Sequence, residues 1–250
     1  MVKFTQHLAF RIQRNRQSGS GQLLHENQFL RIKANQVNNI LRDNVNASGS
    51  FIAVNTAHTP GQTVQVDGWN EWKSRYNNYI VIGSKMTANF RCNGAGSDTT
   101  GAFPDSTDPV QCYVAKTDDL AGYGISNKVY QINERPFVKR GIITQLKRGS
   151  NSKNVVLTQT YSPKHWFGVK DVMDNHVDLG CGTQLVNGNE PGTPSPVYFI
   201  VGCQDALGDA KTSKDVMELY LMIKLEYTAV LFNPATADVV PQAATSFNIE

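Results

Sequence analysis

Residues 68–91 read GWNEWKSRYNNYIVIGSKMTANFR, and the period of their apolar positions changes half-way along. Trp69, Trp72, Tyr76 and Tyr79 fall at steps of three, four and three residues, the spacing that puts side chains on one face of a helix. From Ile80 the even positions (Ile80, Ile82, Ser84, Met86, Ala88, Phe90) alternate with Val81, Gly83, Lys85, Thr87 and Asn89. A period of two is that of a strand with one buried and one wet face. A short aromatic helix running straight into a long half-buried strand predicts a corner of a β fold.

The rest of the chain agrees with that reading. Met217, Leu219, Leu221, Ile223, Leu225, Tyr227, Ala229 and Leu231 form an unbroken apolar series, with Glu218, Lys224, Glu226 and Thr228 opposite. An amphipathic helix cannot hold period two over that length, so Met217–Phe232 is a long strand. Phe4, Leu8, Phe10 and Ile12 alternate with Thr5, His7, Ala9 and Arg11 in the same way. Val197–Cys203 is apolar on both faces and reads as a central strand. Arg14–Gly21 and Asn93–Pro109 are Gly/Ser/Asp-rich loops, and Gly149–Ser152 reads as a hairpin turn between Ile142–Lys147 and Val155–Tyr161. Asn35–Asp67 and Tyr161–Pro196 are long connections, and Leu120–Arg135 is irregular.

Eight strands result: Phe4–Gln13, Leu23–Ala34, Tyr79–Arg91, Val110–Lys116, Gly141–Lys147, Asn154–Tyr161, Val197–Cys203 and Met217–Phe232. So few helices exclude a βαβ architecture. The count and the uneven loops fit an all-β fold, a single eight-stranded jelly-roll β-sandwich over residues 1–250 with a short helix before strand D, the strands being lettered B to I. An immunoglobulin-like sandwich, the alternative, would space its strands more evenly.

Composition bounds the function. The chain has 250 residues, enough to bury a large core as one β domain or two small ones. No apolar run approaches the roughly 20 residues that span a membrane, and MVKFTQHLAF is not a secretory signal. Cys92, Cys112, Cys181 and Cys203 form no C-x-x-C and read as buried free thiols of a reducing compartment; the sequon at Asn46 is then idle. The net charge is only +3, yet Lys3, Arg11, Arg14, Arg16, Arg31 and Lys33 crowd the first strands against Glu26 alone. That bias points either to an anionic partner or to ordinary solvated strand edges.

Catalytic patterns are weak. The Gly-x-Gly pairs at Gly19, Gly94, Gly122 and Gly180 do not join a strand to a helix as a phosphate loop must, and no G-x-S-x-G occurs. His7, His25, His58, His165 and His176 are isolated, and Asp171, Asp174 and Asp178 read as a solvated acidic loop rather than a hard-cation site. The expectation is a protein without enzymatic activity, metal or cofactor, working by binding and self-association.

Several segments resemble the capsid proteins of small circular single-stranded DNA viruses, the circovirus-like group. Trp72-x-x-x-Tyr76-x-x-Tyr79, followed by Val81-x-Gly83-Ser84-Lys85 and an alternating strand, matches one segment of that family. YSPKHWFGVKDVMDN (161–175) resembles its K-x-F-F-G segment, with His165 and Trp166 as departures. PVYFIVGCQD (196–205) and LEYTAVLFNP (225–234) resemble its last two strands. The resemblance implies a viral-capsid-type jelly roll and a shell of about sixty identical subunits around a circular single-stranded DNA, closed by symmetry. It also implies a virion location after assembly in the host nucleus or cytoplasm, and a host receptor that the sequence does not identify. An RNA-virus capsid, or a lectin or TNF-like binding module, shares the fold. Members of the family begin with an arginine-rich arm, which this sequence lacks. About sixty copies at +3 give roughly +180 against one charge per nucleotide, so an arm preceding residue 1 is expected. The resemblance implies that the sheet of strands B, I, D and G lines the interior. Alternation along those strands turns His7, Arg11, Lys85 and Lys224 inward, with Glu226 as partial compensation; Arg14 and Arg16 follow strand B and Lys3 precedes it, so Lys3, Arg11, Arg14, Arg16, Lys85 and Lys224 form the expected phosphate-contacting set.

Overall fold

The structure, a computed structural model, describes residues 1–12, 27–41, 51–55, 58, 64–95, 109–119, 123, 128–144, 154–175, 179–182, 195–206 and 217–234. Two antiparallel sheets hold the strands. The larger runs β3 (Phe51–Ala53), β1 (Val2–Ile12), β10 (Met217–Pro234), β4 (Tyr76–Ala95), β7 (Val155–Tyr161), with the short β8 (Cys181–Gly182) beside β4. The smaller runs β2 (Gln28–Lys33), β9 (Tyr198–Asp205), β5 (Val110–Thr117), β6 (Lys139–Ile143). Lettered in chain order, with β3 and β8 as additions, the sheets read B-I-D-G and C-H-E-F. This is the strand order of a jelly roll, and it is fixed here by the ladders themselves.

The alternation foreseen for β1 and β10 determines which faces meet. Phe4, Leu8, Phe10 and Ile12 enter the core with Leu219, Leu221, Ile223, Leu225 and Tyr227, against Leu30, Ile32, Val114, Phe199 and Val201 of the smaller sheet. Polar atoms inside this layer find partners across it. Tyr227 Oη donates to the Lys33 carbonyl at 2.7 Å, Ser84 Oγ to the Ala34 carbonyl at 2.6 Å, and Tyr79 Oη to Asn38 Oδ1. These three hydroxyls bind the large sheet to the chain leaving β2, keeping buried polar groups hydrogen-bonded.

β9 is buried on both sides, and the reason is a second apolar layer. Phe29, Tyr113, Ala115, Tyr198 and Ile200 on the far face of the smaller sheet are covered by Tyr123 and by Ile132 of α2 (Val129–Asn133). Leu120–Arg135 is therefore not wholly irregular: it carries this helix, too short to show a period in the sequence.

Other expectations need correction. Helix α1 spans only Trp69–Lys73, and β4 starts earlier than expected: Tyr76 already pairs with Pro234, while Tyr79, the expected first strand residue, pairs with Leu231. Tyrosine suits a strand, and the ladder to β10 prevails over helical spacing. Only Trp69 of the aromatic series on α1 is fully buried; Trp72 is half-buried, stacked on Tyr76. Within β4 the pairing passes from Gly83–Thr228 to Val81–Ala229, a bulge at which Ile82 is the extra residue. One extra residue exchanges the two faces, so Tyr79 and Val81 point to the core and Ile82 is half-exposed, contrary to the strict even series. β6 and β7 do not pair as a hairpin but lie in opposite sheets, and Gly149–Ser152 falls outside the described residues. The connection Asn35–Asp67 contributes β3, and Tyr161–Pro196 contributes α3 (Pro163–Trp166) and β8. Cys112, Cys181 and Cys203 are buried, and the side chain of Cys92 lies outside what the structure describes.

Candidate nucleic-acid interface

The large sheet turns one face to the core and the other outward, and the antiparallel register arranges the outward residues in rows across the strands. Lys3 stands opposite Thr228, which pairs with Gly83. The next row is Thr5–Glu226–Lys85–Thr160, and the next His7–Lys224–Thr87–Thr158. Then come Ala9–Met222–Asn89–Val156 and Ile52–Arg11–Tyr220–Arg91. Lys3, His7, Arg11, Lys85, Arg91 and Lys224 are all exposed.

Four of the six residues selected from the sequence, Lys3, Arg11, Lys85 and Lys224, thus share one face; Arg14 and Arg16 lie outside the described residues. Arg91 and His7 complete the arrangement. Arg91 is the next odd position of the β4 series, two beyond Asn89, and the alternation alone could have found it.

Glu226 is the one described carboxylate on this face, and its environment reports the density of cations. Lys224 Nζ approaches Glu226 Oε1 at 2.9 Å, with the two side chains 45% and 39% exposed. The hydrogen bond from Lys224 holds the Glu226 carboxyl below the usual carboxylate range, aided by the charges of Lys224, Lys85 and His7. The described side chains of the face carry five formal cations (Lys3, Arg11, Lys85, Arg91, Lys224) against one carboxylate. Among the described side chains the difference is +4, a cationic balance of the kind that attracts a polyanion.

A second cationic feature lies at the β7 edge. Lys116 Nζ sits 5.0 Å from the centroids of both Phe137 and Trp166 and donates to the Thr160 carbonyl at 2.9 Å. Burial, and the neighbouring charge of Lys139, lower its pKa. Trp166, a departure from the resembled motif, is used here as half of an aromatic clamp on a lysine. Among the described residues no three His, Cys, Asp or Glu side chains could hold a metal ion, and Asp178 is not among them. Asp171 caps its own turn, accepting from the Met173 amide at 2.8 Å. No described helix is long and apolar enough to cross a membrane.

No family model matches the sequence, and no curated protein does. Among solved structures the chain is similar to the 60-mer BFDV capsid protein, at 12% identity, 94% coverage of each chain and a TM-score of 0.39. It is similar to a chain of the sacbrood virus of honeybee in expansion state II, at 11% identity, 84% of this chain and 96% of that one, TM-score 0.35. For the mud crab dicistrovirus the values are 9%, 99% and 76%, with a TM-score of 0.35. At these TM-scores it is the strand order, not the likeness, that establishes the jelly roll.

Proposed function

We propose that the chain is the structural capsid subunit of a small icosahedral virus, a single jelly-roll domain that assembles in about sixty copies around a circular single-stranded DNA. The observation that carries the reading is the pairing of a B-I-D-G/C-H-E-F strand order with a cationic outward face on the B-I-D-G sheet. The segment matches at 68–91, 161–175, 196–205 and 225–234 select the circovirus-like group within that fold. In this reading Lys3, Arg11, Lys85, Arg91 and Lys224 line the lumen and contact phosphates without regard to sequence, and Arg14 and Arg16 extend the set beyond β1. The loops, free of the two sheets, supply the contacts between copies.

Sedimentation and negative-stain microscopy of the purified protein test the shell. Particles of one diameter are expected; a stable monomer or trimer would make the chain a binding module instead. Nuclease digestion of the particle contents tests the genome, with DNase-sensitive, RNase-resistant material expected. Neutralising Arg11, Lys85 and Lys224 together should reduce the packaged nucleic acid. Each lost contact should also lower the slope of log affinity against log salt by about 0.7. Unchanged content and slope would remove the lumenal assignment.

A further inference from the structure

The cationic face is not uniformly cationic. Between the row of His7 and Lys224 and the row of Arg11 and Arg91 lies Ala9–Met222–Asn89–Val156. Met222 is 50% exposed and Val156 57%, with Asn89 half-buried between them. Alternate residues on one face of a strand are about 6.8 Å apart, so a row with two exposed apolar side chains, Met222 and Val156, on either side of Asn89 runs across the sheet at that distance from a basic row on either side. In the row beyond, Tyr220 is paired with Arg11 on one strand and Arg91 on the other, which sets a half-buried ring between two guanidinium-bearing positions.

A surface evolved only to hold phosphates gains nothing from exposed Met and Val. We infer that this face takes unpaired nucleobases as well as phosphates: bases of a single strand lie on Met222, Val156 and the Tyr220 ring, and its backbone follows the flanking basic rows. A duplex cannot use the site, because its bases are stacked inside and only its phosphates reach the sheet. An acidic polypeptide would satisfy the cations but offers a flat apolar group only where an aromatic residue falls, whereas every nucleotide of a single strand carries both a phosphate and a flat base. Tyrosine and arginine both present π faces on which any base can stack, so the site is selective for strandedness and not for sequence. The inference deepens the proposed function and rests on it for the identity of the polyanion.

Three probes separate the two: an oligothymidylate, an abasic backbone of the same length and charge, and a duplex of that length. Each is titrated into the full chain over a salt series. The oligothymidylate should bind about tenfold more tightly than the abasic strand with the same salt slope. Tyr220→Leu combined with Met222→Ser should remove most of that preference while leaving the slope. Tyr220→Phe should retain the preference, and because it keeps the ring it remains informative should the double variant fold poorly. Arg91→Gln should lower the slope by about 0.7 for both single strands. Equal affinity for oligothymidylate and abasic strand, or a duplex bound as tightly as the oligothymidylate, would overturn the stacking site and leave a simple phosphate-binding face. Absence of salt-dependent binding to every probe would overturn the nucleic-acid reading with it.

Discussion

Trp69 and Trp72 stand three residues apart on the same short helix, and the structure gives them very different weights. Trp69 is 1% exposed and sits between two rings, edge-on to Tyr79 at 4.8 Å and to Phe4 at 5.8 Å. It therefore joins the corner to β1 and β4 at once. Trp72 is half-buried, with its ring stacked on Tyr76 at 6.3 Å and Arg75 at 5.9 Å. Removing a fully buried large aromatic costs about 3–5 kcal/mol, and each aromatic pair contributes about 0.5–1.5 kcal/mol of that kind of total. Trp69→Ala should fall in that range, a loss of roughly 6–20 °C in Tm for a chain of this size. Trp72→Ala leaves its area partly in water already and should cost about 1–2 kcal/mol. Urea unfolding of the dissociated protein is the assay, since assembly would add its own stabilisation to both variants. Equal costs, or a larger cost at Trp72, would show that the helix packs by its other side and refute the reasoning.

Gly202 faces the Tyr113 ring so closely that a Cβ would stand 2.4 Å from it, and Tyr113 is itself fixed by a 2.6 Å hydrogen bond from its hydroxyl to Asn27 Oδ1. Gly202→Ala should lower the urea midpoint by an amount equivalent to about 1–3 kcal/mol, whereas Gly83→Ala, with only a 3.7 Å contact, should not. The Glu226 carboxyl, followed by NMR, should titrate below the ordinary carboxylate range and return towards it in Lys224→Gln. Because the folded-state value is lowered, any stability from the pair is complete above the unfolded-state value and is lost as pH falls through the folded one; it should be small, both side chains being well exposed. Cys112, Cys181 and Cys203 should react with a thiol reagent only at the rate of unfolding, and fast modification of the native protein would contradict their burial.

Much of the architecture was legible because a sandwich writes its burial into the sequence with period two. β10 carries it without interruption and β1 with one, the buried Gln6, and both appear where the alternation puts them. What failed depends on partners remote in the chain. Tyr76 has helical spacing from Trp69 and Trp72, and only its ladder to Pro234 makes it a strand residue. The bulge at Ile82 is a mismatch between two strands and has no signature in either one alone. α2 is a single turn whose one core residue, Ile132, has no periodic companion. The candidate site divides the same way: that Lys3, Arg11, Lys85 and Lys224 face outward is local information, and that Arg91 lies level with Tyr220 and Arg11 is not.

The rows on the cationic face are in this sense a product of the core. β10 pairs with β1 on one side and β4 on the other, and its odd residues from Leu219 to Ala229 are buried along nearly its whole length. A slip of one residue against either neighbour would carry Lys224 and Glu226 into the interior and push Ile223 and Leu225 into water. The hydrophobic layer therefore excludes every slip by an odd number of residues, and the register observed is what sets Lys224 beside His7 and Tyr220 between Arg11 and Arg91. The outward residues need contribute nothing to stability for their arrangement to be exact to a residue. They are left to be chosen by what they bind, which is why this face can carry, among its described residues, five cations against one carboxylate and still fold: the apolar side specifies the geometry, and the polar side uses it.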